Sequence, residues 1–344
     1  MVEVTLRIAT IPGQYPPAAM GSCRTHTFGA GGLDERGTDL SQVSELLERE
    51  GSIVWIDIDD PNEADLTLLA AELGLHHLSV EDALESHQRD KYVHYDHHVF
   101  LVCHFIALDV DRAELDVLEL DVFIGGRWLV TVHRGGRPVL QRVAARWEQV
   151  RRTAGESVGF AVYAVLDVVV DGYFATLDTF ERYYDEASDR VFSESTIEPA
   201  DQRQWFEMRQ SLNKFERIVA PLSDALDTVV SRDLDRFEDA AAPYLRDVQG
   251  ELARASSEVG ALRELVRHIV DMNLLLRDYR QNAVMKKVTS WAAIIAVPTL
   301  VTGWYGMNVP YPGSGEPWGV ASAAVLGLGC SGGLYVLFRR RGWL

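Results

Sequence analysis

The chain has 344 residues, and 51 Asp or Glu against 33 Lys or Arg give a formal charge of −18. So acidic a surface repels nucleic acid and attracts multivalent cations, which argues against a nucleic-acid partner. Cys23, Cys103 and Cys330 stand far apart without a CxxC spacing, giving neither a disulfide framework nor a zinc-ribbon pattern and fitting a reducing compartment.

Residues Met1 to Thr10 lack a basic start ahead of an apolar run, so no cleaved signal is expected. Ile53–Ile58 reads as a short apolar strand. Asp60-Pro61 with Glu63 predicts a helix start, with Asp60 as the N-cap and Pro61 at the first position, and the helix runs to about Leu73 and ends at Gly74. Tyr92–Leu108, rich in β-branched and aromatic residues, reads as one long strand, and Glu119–Ile124 and Trp128–His133 flank the hairpin signal Gly125-Gly126. The expectation is an α+β domain, a mixed sheet with covering helices, over residues 1–138. Helical periodicity then predicts helices over Val139–Ala154, Phe160–Phe192 and Pro199–Ser231, a helical subdomain over 139–242. From Pro243 onward no turn signal interrupts the chain between Val259 and Val297. One stalk helix is therefore expected to run from about 243 through 287 into the segment that follows, about 60 residues or 90 Å in all.

The final stretch changes character. No charge occurs from Val288 to Gly315 or from Pro317 to Phe338, and each segment holds an apolar run of about 18–21 residues, enough to cross about 30 Å of hydrocarbon as a helix. Spans are expected at 288–308 and 318–338, joined by an outer loop at 309–317. Lys286 and Lys287 precede the first, and Arg339, Arg340 and Arg341 follow the second in a basic tail, 339–344. The loop's single charge is Glu316. The positive-inside pattern puts both termini in the cytoplasm of a multi-pass protein of the cell (inner) membrane. Pro298, Thr299, Thr302 and Gly303 make the first span a poor lipid-facing surface, whereas Gly327, Gly329, Gly332 and Gly333 let another helix approach the second closely. Two spans cannot enclose a pore, so conduction requires a symmetric oligomer.

The first span ends in Tyr305-Gly306-Met307-Asn308. Here the sequence resembles the CorA family of divalent-cation transporters, whose hallmark is Gly-Met-Asn at the outer end of the first transmembrane helix. Leu73-Gly74-Leu75-His76, Glu81-Asp82-Ala83-Leu84, His87-Gln88-Arg89 and Lys91 resemble the family's cytosolic signature. Gln281 to Lys287 with Thr289 resembles the stalk-to-pore junction, and Arg340 to Leu344 the basic, Trp-containing tail. The resemblance implies a funnel-shaped homopentamer in the lipid bilayer that transports Mg²⁺ and possesses no organic cofactor. Hydrated Co²⁺ and Ni²⁺ resemble hydrated Mg²⁺ and are candidate cargo.

Mg²⁺ holds its waters tightly, so a protein binds the hydrated ion more readily than the bare one. A filter of Gly306, Met307 and Asn308 fits that need, since a ring of amide and carbonyl oxygens accepts hydrogen bonds from the ion's water shell. The plain alternative is a helix C-cap, which Gly and Asn also favour. By distance from Asn308, the residues matching family pore positions are Thr299, Ala296, Val288, Met285, Asn282 and Asp271. Val288 and Met285 form an apolar gate in that reading and core packing in the alternative. The resemblance further implies that internal Mg²⁺ is sensed by Glu81 and Asp82 of one subunit facing Asp247 of the next. Helix capping and salt bridges are the ordinary roles for these three. Glu316 replaces the acid that family members usually carry in the outer loop.

His87, His94, His97, His98 and His104 crowd together in sequence, and His94, His98 and His104 share one face if their segment is a single strand. Their spacing matches no familiar zinc motif, and half-exposed strand histidines are expected. The chain shows no GxxxxGK[ST] loop and no nucleophile–base constellation, so it is not expected to be an enzyme. A zinc transporter of the same fold, ZntB-like, and a non-conducting membrane-anchored scaffold remain the alternatives to a Mg²⁺ channel.

Overall fold

The computed structural model describes residues 22–29, 32–36, 43, 47, 53–85, 88–135, 137–192, 199–234, 237, 239–307 and 313–344. They fall into two compact units divided between Val266 and Arg267.

The first unit is built on a seven-stranded sheet ordered β2-β1-β3-β7-β6-β5-β4. Its strands are β1 (Ser22–Gly29), β2 (Gly32–Arg36), β3 (Ile53–Asp59), β4 (Lys91–His94), β5 (Val99–Asp109), β6 (Glu114–Ile124) and β7 (Trp128–His133). The β3–β7 pair is parallel and the other neighbours are antiparallel, so the sheet is mixed as expected. Alternation along β3 divides its side chains between two faces. Val54, Ile56 and Ile58 enter a core with Leu66, Leu69 and Leu73 of helix α1 (Glu63–Leu73). Trp55 turns the other way, its ring 5.7 Å from that of Trp147 on α3 (Arg137–Ala154).

Two local expectations are corrected. The α1 N-cap is Asn62, not Asp60: Asn62 Oδ1 accepts from the Asp65 N–H at 2.9 Å, and the Asp65 carboxylate accepts from the Asn62 N–H at 3.2 Å, a closed capping box. Asp60 instead adopts φ 57° and donates its N–H to the His133 carbonyl at 2.8 Å, a tertiary bond that no local spacing reveals. Gly74 ends the helix in the left-handed conformation at φ 67°, as its type predicts. The long strand at Tyr92–Leu108 is two strands, β4 and β5, folded against each other around Tyr95–His98, with the Tyr95 N–H donating to the His98 carbonyl at 2.9 Å. The strands β1 and β2 and the short helix α2 (His77–Leu84) were not anticipated.

Four further helices follow: α4 (Val158–Phe192), α5 (Pro199–Thr228, continued by a π-helical turn at Val229–Asp233), α6 (Ala242–Tyr305) and α7 (Pro317–Arg340). By length and composition α4, α6 and α7 are each apolar enough to cross a membrane. In α4, however, 78% of the apolar window is buried inside the protein, against 6% in α6 and in α7. The apolar surface of α4 is covered by the soluble core, and Tyr173 secures it by donating to the His104 carbonyl at 3.0 Å. Helix α6 runs without interruption over 64 residues, through the segment where no turn signal was found.

A polar cluster is buried in this unit. His104 and Asp90, both 6% exposed, share a short hydrogen bond, and Glu119 Oε2 lies 3.6 Å from the other ring nitrogen. Burial opposes the imidazolium, but the bonds to Asp90 and Glu119 outweigh it and raise His104 to about 9. Asp121, 2% exposed with Oδ1 lacking a hydrogen-bond partner, is pushed up to about 8 by burial and then by the charge of Glu119. Its ordinary value is 3.8, so the folded state holds this proton more tightly than the unfolded chain. The resulting stability is complete below pH 3.8 and is lost as pH rises to about 8. His104 adds a loss in the same direction between pH 6.5 and about 9. Asp121→Asn, neutral at every pH, is expected to raise the thermal midpoint of the detergent-solubilised protein at pH 8 by about 2–8 °C, and to change it little at pH 4. A lower midpoint at pH 8 would contradict a protonated Asp121.

Candidate functional site: ion path and acidic face

Within the second unit α6 and α7 pack as an antiparallel pair with a readable register. A Cβ on Gly327 would stand 3.8 Å from Pro298 Cα, Ser331 Oγ donates to the Ile294 carbonyl at 3.3 Å, and the rings of Trp291 and Tyr335 are 6.5 Å apart. The middle contact repairs a defect. Pro298 has no N–H to give Ile294, four residues earlier, and the Ser331 hydroxyl takes its place. Extending the register one turn sets Lys286 and Lys287 level with Arg339 and Arg340, so the cationic residues flanking the two spans share one end of the pair.

This packing defines two sides of α6. Ile294, Pro298, Val301 and Tyr305 are half-buried and lie on one stripe, three to four residues apart. At about 100° per residue, Met285, Val288, Ala296 and Thr299 lie on nearly the opposite side. All four are exposed, Met285 60% and Val288 63%. Asn282 and Asp271, also exposed, continue the same side. An open groove beside it is lined by Ala296, Thr299, Gly303 and Met307, with Val297, Leu300 and Trp304. Thr299 donates its hydroxyl to the Ile295 carbonyl at 3.1 Å, leaving the oxygen's lone pairs available to an ion's water shell. The sequence-derived pore positions thus share one uncovered face.

Gly306 follows the last residue of α6 and donates its N–H to the Thr302 carbonyl at 2.9 Å; a Cβ there would meet that same oxygen at 3.0 Å. Met307 is exposed, with its N–H on the Trp304 carbonyl. Asn308, the centre of the expected filter, lies outside the described residues, as do Val309 to Pro312. The loop resumes at Gly313, which has φ 92°, and closes tightly onto α7, since a Cβ on Gly319 would stand 2.3 Å from the Gly313 carbonyl oxygen. Glu316 is exposed and occupies the α7 N-cap position without a side-chain bond to that helix.

The expected regulatory acids lie in the first unit. Glu81 and Asp82 sit on α2, Glu81 exposed and Asp82 Oδ2 2.8 Å from Lys91 Nζ. Asp247 is exposed on α6. Around it stand acids the sequence reading missed. Burial, and then the charges of Asp247, Asp167 and Asp171, raise the Glu251 carboxyl. Arg146 bridges Asp167 and Asp171 at 2.7 and 3.0 Å. The i,i+4 spacings of 167/171 and 247/251 were the available signal. Among the described residues, no three His, Cys, Asp or Glu are placed to hold a metal ion within one chain. The carboxylates of exposed Glu81 and Asp247 and of half-buried Asp82 have the donor chemistry that a hard divalent cation takes.

The crowded histidines disperse. His94 lies 3.7 Å from Asp233, His98 is buried with Nε2 3.0 Å from Ser79 Oγ, and His104 belongs to the Asp90 cluster. The hairpin at Tyr95–His98 breaks the shared face a single strand would have given. His87 lies outside the described residues.

A mixed-sheet unit followed by two C-terminal helices of membrane length and apolar composition is the architecture of a candidate membrane protein. Residues 50–340 match the family described as CorA-like Mg²⁺ transporter protein, and the chain belongs to that family. It is 26% identical over 315 residues to the cobalt/magnesium transport protein CorA of Thermotoga maritima, covering 89% of this chain and 88% of that one. Its fold is that of the complete CorA magnesium transporter of Methanocaldococcus jannaschii, with TM-score 0.76 and 19% identity over 95% of this chain and 99% of that one. The ZntB cytoplasmic domain of Vibrio parahaemolyticus is similar too, with TM-score 0.57 and 13% identity over 74% of this chain and 98% of that domain. The protein is a membrane transporter of divalent cations, not an enzyme.

Proposed function

We propose that this chain is the subunit of a homopentameric channel that passes hydrated Mg²⁺ into the cell and closes when internal Mg²⁺ is sufficient. The observation that carries the reading is the face of α6 opposite α7, where Met285, Val288, Ala296 and Thr299 are exposed in line. Five such faces around an axis make a path with a hydroxyl ring at Thr299, an apolar constriction at Met285 and Val288 that closes by dewetting, and polar rings at Asn282 and Asp271. Gly306, Met307 and Asn308 form the outer filter, and Glu316 adds negative charge for capture. With Lys286, Lys287 and the basic tail in the cytoplasm, the potential pulls the ion inward. A divalent cation gains about 4.6 kcal/mol per 100 mV, so no ATP is needed. The cytosolic Glu81 and Asp82 of one subunit and Asp247 of the next repel unless a cation bridges them, so bound Mg²⁺ holds the closed arrangement. Co²⁺ and Ni²⁺ permeate by the same hydrated-ion route.

A second reading, a zinc transporter, draws on the fold shared with the ZntB domain. Purified protein in dye-loaded proteoliposomes separates the two. Mg²⁺ uptake that rises with an inside-negative potential is expected. Zinc uptake driven by a pH gradient, without Mg²⁺ uptake, would transfer the assignment to the second reading, and flux of neither ion would indicate a scaffold.

A further inference from the structure

Lys91 opens strand β4 and reaches back to α2. Its Nζ lies 2.8 Å from Asp82 Oδ2, 3.1 Å from Gln88 Oε1 and 5.7 Å from the centroid of the Phe100 ring. Both partners of this ion pair are held in place. The Gln88 N–H donates to Glu119 Oε2 at 3.0 Å and Asp90 is bonded to buried His104, which pins the segment on either side of Arg89. Across from it, Arg134 Nη2 donates to the Ala83 and Leu84 carbonyls at 3.3 and 3.2 Å, anchoring the end of α2 that carries Asp82.

A half-buried ion pair with 27% of each side chain open to solvent adds little stability. Its consequence lies elsewhere. A hard divalent cation binds through carboxylate oxygens, and one oxygen of Asp82 already carries an ammonium group. We infer that Lys91 is a tethered competitor for Asp82, so that divalent-cation binding there displaces the ammonium and Lys91 sets the concentration at which the regulatory site fills. Gln88 Oε1 and the Phe100 ring, which the ammonium already contacts, offer the displaced group a resting place. This inference rests on the proposed regulatory role of Asp82.

The sign is opposite to that of a supporting residue. Lys91→Gln removes the competitor, and is expected to lower the Mg²⁺ concentration for half-maximal protease protection of the full-length protein by about three- to ten-fold. Lys91→Arg keeps the charge and is expected to stay near wild type. In an Asp82→Asn background, Lys91→Gln is expected to shift nothing further. An unchanged or raised midpoint in Lys91→Gln, with wild-type protection intact and sensitive to Asp82→Asn, would overturn the competitor role alone. A shift that persists in the Asp82→Asn background would overturn it too. Absence of any Mg²⁺-dependent protection in the wild type would overturn the regulatory reading beneath it.

Discussion

Asn308→Ala is expected to cut Mg²⁺ uptake into proteoliposomes at a fixed inside-negative potential by at least about tenfold, with the oligomer intact by size-exclusion chromatography. A hydrated Mg²⁺ presents water hydrogens, and a ring of five amide oxygens accepts from them without stripping the shell. A hydrogen bond to a charged partner contributes about 1.5–3 kcal/mol, and about 1.4 kcal/mol is a tenfold change in rate, so losing even one such contact at the barrier suffices. Helix α6 ends at Tyr305, and Gly306 and Met307 precede this position in the chain. Asn308→Gln retains the amide on a longer stem and is expected to recover part of the flux. Wild-type uptake by Asn308→Ala would remove the filter from this position.

The double variant Asp82→Ala with Asp247→Ala is expected to abolish Mg²⁺-dependent protease protection and to keep conducting at internal Mg²⁺ concentrations that silence the wild type. At ten times its dissociation constant, an ion that binds only the closed state contributes about 1.4 kcal/mol per site. Five sites contribute about 7 kcal/mol, against the roughly 5.5 kcal/mol that moves a gate from 1:99 to 99:1. Removing both acids leaves an exposed Glu81 and no opposed pair, so most of that bias disappears. Protection unchanged in the double variant would place Mg²⁺ sensing elsewhere, and the acidic neighbours Asp167, Asp171 and Glu251 around Asp247 would be the next positions to replace.

The membrane segments were legible because their signal is local. An uncharged run of about 20 residues bracketed by Lys286-Lys287 and Arg339 to Arg341 needs no tertiary partner to be recognised, and α6 and α7 follow it closely. The helix α4 shows the limit of that signal, since its hydropathy alone also admits a membrane span while its burial assigns it to the soluble core. Strand composition identified β3, β7 and the second half of β6, which begins at Glu114, but Tyr92–Leu108 was read as one strand although the polar Asp96-His97-His98 within it lies at the reversal between β4 and β5. Asp60 had the side chain of an N-cap and lost the position to Asn62, because its backbone is held by His133, more than seventy residues away.

The sequence by itself determined the two uncharged apolar segments of membrane length, their cationic flanks and the mixed α+β class of the first unit, all read from composition and spacing along a few turns of chain. Only the tertiary structure decided which face of α6 stays uncovered, because that depends on where α7 packs. It also decided how Ser331 satisfies the carbonyl freed by Pro298, why His104 and Asp121 hold their protons, and that the ammonium of Lys91 rests on Asp82. Each of these joins residues distant in the chain, and hydrogen bonds and charges act over a few ångströms of space whatever the separation in sequence.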